Sequence, residues 1–223
     1  MQCRGAAVLR CVPQCSVPQC YSACVMSTVA SFDISKSAVL ALDCQGSIVS
    51  IYAKPPETFI DRASGVLRAA RNAGVFVIHV QVGFRTGLPE VSGRNKLLSP
   101  LKSSPEHQKL FEGTPGQIHP ALGPEPGDIV VTKHRVSAFA GTDLHMILRA
   151  NEIETLVLFG IATSGVVLST LLDASDRDYR LAVIAECCAD VAPQLHSCLI
   201  ERLFPKYADV LTADEFAHAM GCS

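Results

Sequence analysis

No apolar run in this chain of 223 residues reaches the roughly 18 to 20 residues that cross a bilayer; the longest are five to eight residues long. That pattern argues against a membrane-spanning helix. Nor is there an excess of positive charge: 19 Lys and Arg against 21 Asp and Glu leave a formal net charge of −2, with no dense basic stripe. Nucleic acid and anionic lipid are therefore not expected as partners. The ten cysteines lack the paired C-x2-C knuckles of common zinc sites. Internal repeats and low-complexity tracts are absent as well.

The cysteines fall into two groups. Cys3, Cys11, Cys15, Cys20 and Cys24 crowd the first 24 residues, in a segment (1–32) that carries Arg4 and Arg10 but no acidic residue. This composition fits a cleavable transit segment, and it fits equally well a start displaced from Met26. The expectation is that 1–32 is an unstructured, dispensable extension and that 33–223 forms the single domain. Cys44, Cys187, Cys188, Cys198 and Cys222 show no regular spacing, which reads as free thiols in a reducing compartment and points to a cytoplasmic protein.

From residue 37 onward, short apolar runs alternate with longer helical patterns, the signature of βαβ units around a parallel sheet. The class expected is α/β, a three-layer αβα arrangement with a mostly parallel sheet of about six strands. Strands are expected at 38–43, 75–82, 128–133, 155–161, 180–186 and 209–212, and helices at 58–73, 142–151, 164–178 and 193–203. Most of the strands are continuously apolar, so both faces of the sheet should be covered. Asn72-Ala73-Gly74 and the Gly123 to Asp128 segment are turn signals just before strands, and Gly141 to Asp143 should cap the following helix. The stretch from Gly83 to Gly127, rich in Pro, Gly, Ser and Lys, breaks the rhythm. A connection of that length in a compact domain is usually a lid or a pocket wall.

Ligands of open parallel sheets bind beyond the carboxyl ends of the strands, and there the polar residues gather. Strand one ends in Asp43-Cys44-Gln45, strand two in Gln81 followed by Arg85, strand three in Lys133-His134, and strand four in Gly160-Ile161-Ala162-Thr163. Singly, each has an ordinary structural explanation, such as a turn cap, a solvated lysine or a helix N-cap. Four at one rim make a stronger case than any member.

Three segments resemble the signatures of the isochorismatase-like hydrolase superfamily: the apolar strand closing on Asp43-x-Gln45, the run Val131-Thr132-Lys133-His134-Arg135-Val136-Ser137-Ala138-Phe139, and the run from Gly160 to Thr170. Their order and spacing match from about residue 37 to 216. The resemblance implies a small-molecule hydrolase with Asp43 and Lys133 as catalytic residues, and a homodimer or homotetramer, for which the Leu and Val excess of helix 164–178 also argues. It implies a cis peptide before Ala162, whose turn would present backbone N–H groups of Ala162, Gly165 and Val166 as an oxyanion pocket. Gln45, Gln81, Arg85, Arg94, Phe139 and Thr163 are the candidates for substrate contact. No cofactor is implied. Some members hold a metal near the second strand, but His79 lies inside an apolar strand with no Asp-x-His after it, and it reads as a satisfied core histidine rather than a ligand.

The departure is at the nucleophile. By resemblance a cysteine should stand at position 166, where this sequence has Val166, a side chain with neither proton nor lone pair. Cys44 should point to the opposite face from Asp43, while Cys187 and Cys188 end strand five near the same rim. Three readings stand. The first is a Cys-independent hydrolase of a small carboxylated metabolite, in which the Asp protonates an enol ether and water completes the cleavage. The second is a cysteine amidase using a relocated thiol. The third is a non-catalytic ligand-binding or scaffolding protein. A tension accompanies the first, since a nearby Lys⁺ lowers the pKa of Asp43 whereas burial raises it.

Overall fold

A computed structural model describes residues 33–221; the expected extension at 1–32 lies outside the described residues. Six strands, β1 (Ser37–Leu42), β2 (Phe76–Val82), β3 (Ile129–Lys133), β4 (Thr155–Ile161), β5 (Arg180–Ala189) and β6 (Asp209–Leu211), form one sheet in the order β3-β2-β1-β4-β5-β6. Every pairing is parallel. The central strands β1 and β4 are buried along their whole length, as a parallel sheet covered on both faces requires. Among the described residues eight α-helices accompany the sheet: α1 (Gly46–Tyr52), α2 (Pro56–Ala73), α3 (Pro100–Ser103), α4 (Pro105–Lys109), α5 (Leu144–Ala150), α6 (Leu168–Ser175), α7 (Pro193–Cys198) and α8 (Ala213–Ala219). No helix among the described residues is long and apolar enough to cross a membrane.

The longest helix shows why these segments form where they do. Proline at the first position of α2 forfeits an N–H that would have no helical partner anyway, Phe59, Ala63, Val66, Leu67 and Ala70 bury one face, and Gly74 ends the helix in the left-handed conformation at φ 78°. Strand order reverses between β1 and β4: the chain leaves β1 toward β2 and β3, and leaves β4 toward β5 and β6. A crevice opens at that point beyond the strand ends. Leu42 pairs with Val80 on one side and Gly160 on the other, and Val82 pairs with Lys133, so the ends of β1, β2, β3 and β4 share one rim.

Three expectations need correction. Strand one stops at Leu42 rather than 43, because Asp43 adopts a left-handed backbone (φ 51°). The helix expected at 164–178 opens with a wide, π-type turn over Thr163–Val167, and only Leu168–Ser175 is α-helical. Of its Leu and Val residues, Val166, Val167 and Leu171 are buried, Leu168 is partly buried and Leu172 is exposed. The connection 83–127 carries α3 and α4, too short and too Pro-broken to show a helical period.

Candidate active site

Asp43 follows the last residue of β1, and its backbone N–H donates to the Val80 carbonyl at 2.8 Å. Asp and Asn enter left-handed backbone more readily than other non-glycine residues, so the same turn that ends the strand presents the carboxylate. Oδ2 of Asp43 lies 2.8 Å from Nζ of Lys133, with the two side chains only 8% and 3% exposed. Nζ of Lys133 also donates to the Arg135 carbonyl at 3.1 Å. The other carboxylate oxygen, Oδ1, is buried with no hydrogen-bond partner. Burial pushes the Asp43 carboxyl above the usual carboxylate range and outweighs the opposing charge and hydrogen bond of Lys133. The tension visible in the sequence resolves in favour of an acid that keeps its proton longer.

The pair lines a cavity of about 450 Å³. Ala162, Gly165 and Val166 form one wall, and the peptide between Ile161 and Ala162 is cis. Ile48, Ile51 and Tyr52 come from α1, while Leu97, Leu98, Leu101, His107, Leu110 and Phe111 come from the long connection, which thereby acts as the pocket wall its length suggested. His134, Arg135 and Val136 complete the lining beside Lys133. Arg135 donates to the carbonyls of His134 and Glu90 at 2.6 and 3.0 Å and has no carboxylate partner among the described residues, leaving the chamber a positive charge.

The other sequence candidates are placed elsewhere. Gln45 is fully buried, accepting from the Val82 N–H at 2.8 Å and donating to the carbonyls of Val82 and Gly116, so it fastens the long connection to β2. Gln81 donates to the Thr132 hydroxyl. Arg85 lines a separate cavity of about 290 Å³ with Phe84, Gln108 and Glu112, and Arg94 is exposed outside the chamber. Phe139 stacks on Tyr179 at 6.1 Å, with the Arg177 guanidinium over its ring. Thr163 is buried against His196, its hydroxyl 2.8 Å from Nδ1. His107, His134 and Arg135 add polar groups to the chamber, and sequence reasoning assigned none of them a role. Proximity to Lys133 was the available signal for the latter two, and nothing flagged His107.

None of the candidate thiols lines the chamber. Cys44 is buried with its Sγ 3.8 Å from the Leu42 carbonyl, and burial raises its pKa well above the ordinary value. Burial likewise raises Cys187 and pushes Cys188 up to about 12, so both are protonated near neutral pH. Cys188 faces an adjacent cavity of about 330 Å³, bounded by Tyr52, Asp190 and His196. His79 is buried in β2 with Nε2 3.1 Å from Asp128, which also accepts from Arg71 at 2.6 Å. Its Nδ1 has no partner, so only half of the expected satisfaction is met.

An acid and an ammonium buried at the switch point of a parallel sheet, beside an apolar chamber, define an α/β enzyme of small molecules. The isochorismatase domain matches residues 37–215, and the chain belongs to the isochorismatase family of hydrolases. It is 28% identical to maleamate amidohydrolase of Pseudomonas putida over 185 residues, covering 81% of this chain and 84% of that one. It is 34% identical to a ureidoacrylate amidohydrolase of Methylobacterium radiotolerans over 173 residues, covering 73% and 67%. An isochorismatase family protein of Burkholderia thailandensis shares the fold with a TM-score of 0.75 at 28% identity, covering 84% of this chain and 96% of that structure.

Proposed function

We propose that this hydrolase cleaves a small carboxylated metabolite without a thiol nucleophile, with Asp43 delivering a proton and Lys133 and Arg135 holding the substrate's negative charge. The observation that carries the reading is the buried, unpartnered Oδ1 of Asp43 in a chamber where Val166 occupies the turn. A carboxyl whose pKa burial raises is suited to general acid catalysis, and a chamber lined by no thiol among the described residues directs the chemistry toward an enol ether. In that reaction Asp43 protonates the vinyl carbon and water attacks the resulting oxocarbenium ion. The names of the two curated relatives, maleamate and ureidoacrylate amidohydrolase, denote small carboxylates, which supports the carboxylate part of the reading. Their amide chemistry is a different matter, since Val166 offers no nucleophile for it.

Turnover of isochorismate, nicotinamide, maleamate and ureidoacrylate, each with and without prior iodoacetamide treatment, tests the proposal. The expected result is cleavage of the enol ether at an unchanged rate after alkylation. Amide hydrolysis that alkylation abolishes would overturn it in favour of a relocated thiol, and binding without turnover of any of the four would favour the non-catalytic reading.

A further inference from the structure

Water can complete such a cleavage only if something removes its proton, and a base separate from Asp43 leaves the carboxylate that Asp43 becomes free to take the hydroxyl proton when the hemiketal collapses. We propose that His134 is the general base that activates the water, with Glu90 as its positioning residue; this rests on the function proposed above. The argument starts from the tautomer. Nδ1 of His134 lies 2.6 Å from the Gly83 carbonyl oxygen, and a carbonyl can only accept, so Nδ1 carries the hydrogen. The lone pair of the neutral ring is then on Nε2. Nε2 has no hydrogen-bond partner among the described residues, and His134 lines the chamber that Asp43 and Lys133 line. The Phe84 ring, with its centroid 6.5 Å away, flanks the imidazole.

Behind the ring stands a carboxylate. Oε1 of Glu90 is 3.6 Å from Nδ1, and the Glu90 side chain is 10% exposed. Oε1 accepts from the Arg85 backbone N–H at 2.7 Å, and that bond holds the Glu90 carboxyl below the usual range, hence ionised. A carboxylate on the Nδ1 side helps keep the hydrogen on that nitrogen and fixes the ring, the positioning part a carboxylate plays in serine hydrolase triads. The remaining charges around the ring are Arg85, facing Glu90 at 3.9 Å, Arg135, and the Asp43–Lys133 pair across the chamber.

The steps balance. Asp43 gives its proton to the vinyl carbon; water adds to the cationic carbon while Nε2 of His134 takes its proton, leaving a hemiketal. As the hemiketal collapses, the bond to the departing oxygen breaks, the imidazolium proton goes to that oxygen, and the hemiketal hydroxyl proton returns to Asp43. The products are a keto acid and an alcohol, and both residues are restored.

The test uses isochorismate, with pyruvate release followed by lactate dehydrogenase. His134→Asn keeps an amide donor near Nδ1 for the Gly83 carbonyl but has no base, and it should lose about 100- to 1000-fold in kcat with little change in KM. His134→Ala should regain rate with added imidazole. Glu90→Gln should lower kcat on the order of tenfold while KM holds, through loss of the carboxylate that fixes the ring. Nitrogen-15 spectra of the imidazole should report the Nδ1–H tautomer, a readout independent of turnover. A His134→Asn enzyme within about threefold of the parent rate, or a ring carrying its hydrogen on Nε2, overturns the inference. If Asp43→Asn is inactive in the same assay, that result removes only the role of His134. Full activity of Asp43→Asn, or no turnover of any enol ether, removes the function proposed above.

Discussion

At Asp43 the chemistry and the backbone ask for related residues. Its φ of 51° is tolerated best by Asn and Asp among non-glycine residues, so Asp43→Asn should keep the fold while losing at least about 100-fold in kcat; kinetics and thermal melts on one preparation check both halves. Because the reaction needs the protonated acid and burial raises its pKa, kcat/KM should fall as pH rises through that raised value. Lys133→Met removes the charge that holds the pKa down and should move the falling limb to higher pH, while weakening substrate binding by about 3 kcal/mol. Val166→Cys should leave enol-ether cleavage nearly unchanged and introduce weak maleamate hydrolysis sensitive to iodoacetamide, since position 166 lines the chamber. Sequence made Asp43 and Lys133 legible because each closes an apolar strand with a charge. It could not separate them from Gln45 or Thr163, which stand at the same rim with equally polar side chains, because the local turn decides whether such a group faces the chamber or the protein. The role inferred for His134 depends on which ring nitrogen meets a carbonyl 51 residues away, a relation that no local pattern carries.

Among the elements, the strands were legible and the short helices were not. Continuous apolar runs bounded by turn residues mark β1 to β5 within a few residues, whereas α1 spans seven residues beginning with glycine, and α3 and α4 are single turns behind prolines. The end of β4 contains one backbone requirement that only the structure reveals. Gly160 has φ 142°, and a Cβ there would run into the Leu42 carbonyl of the adjacent strand. Gly160→Ala should therefore destabilise the protein by at least about 2 kcal/mol, from backbone strain and from displacement of the neighbouring strand. Urea unfolding measures this, and an unchanged midpoint would show that the β1–β4 pairing can open without cost. Since Asp43 directly follows Leu42 at the end of β1, the variant should lose activity before it loses its fold.

For the molecule as a whole, acid is the predicted weakness, and its source is remote from the chamber. Burial depresses the pKa of His79, so as pH falls through the unfolded value of about 6.5 the unfolded chain takes up a proton that the native one refuses, and stability declines. Burial alone would raise Asp128, but hydrogen bonds from Arg71, the Glu125 backbone and His79 bring it below the usual range; its contribution is present above the unfolded value and is lost as pH falls through the lower native one. Urea midpoints should decline below about pH 6.5 and again, more steeply, below about pH 4. Asp128→Asn should make the second decline shallower, leaving the share of Asp190 and Glu90, which are also held below the usual range, and should cost about 3 kcal/mol at neutral pH, because Arg71 loses its buried partner. A pH-independent midpoint would count against this. The division of labour around the chamber has another consequence. Asp43 and Lys133 are set by strand register, whereas Leu97, Leu98, Leu101, His107, Leu110 and Phe111 belong to one contiguous segment between β2 and β3. Residues 97–111 of that segment lie between Glu90 and the Gly116 tie to Gln45 and can be redrawn while both hold, so new substrate preferences are open to descendants of this chain, or to a library built on it, through changes in a single stretch of the gene while the reacting groups stay fixed.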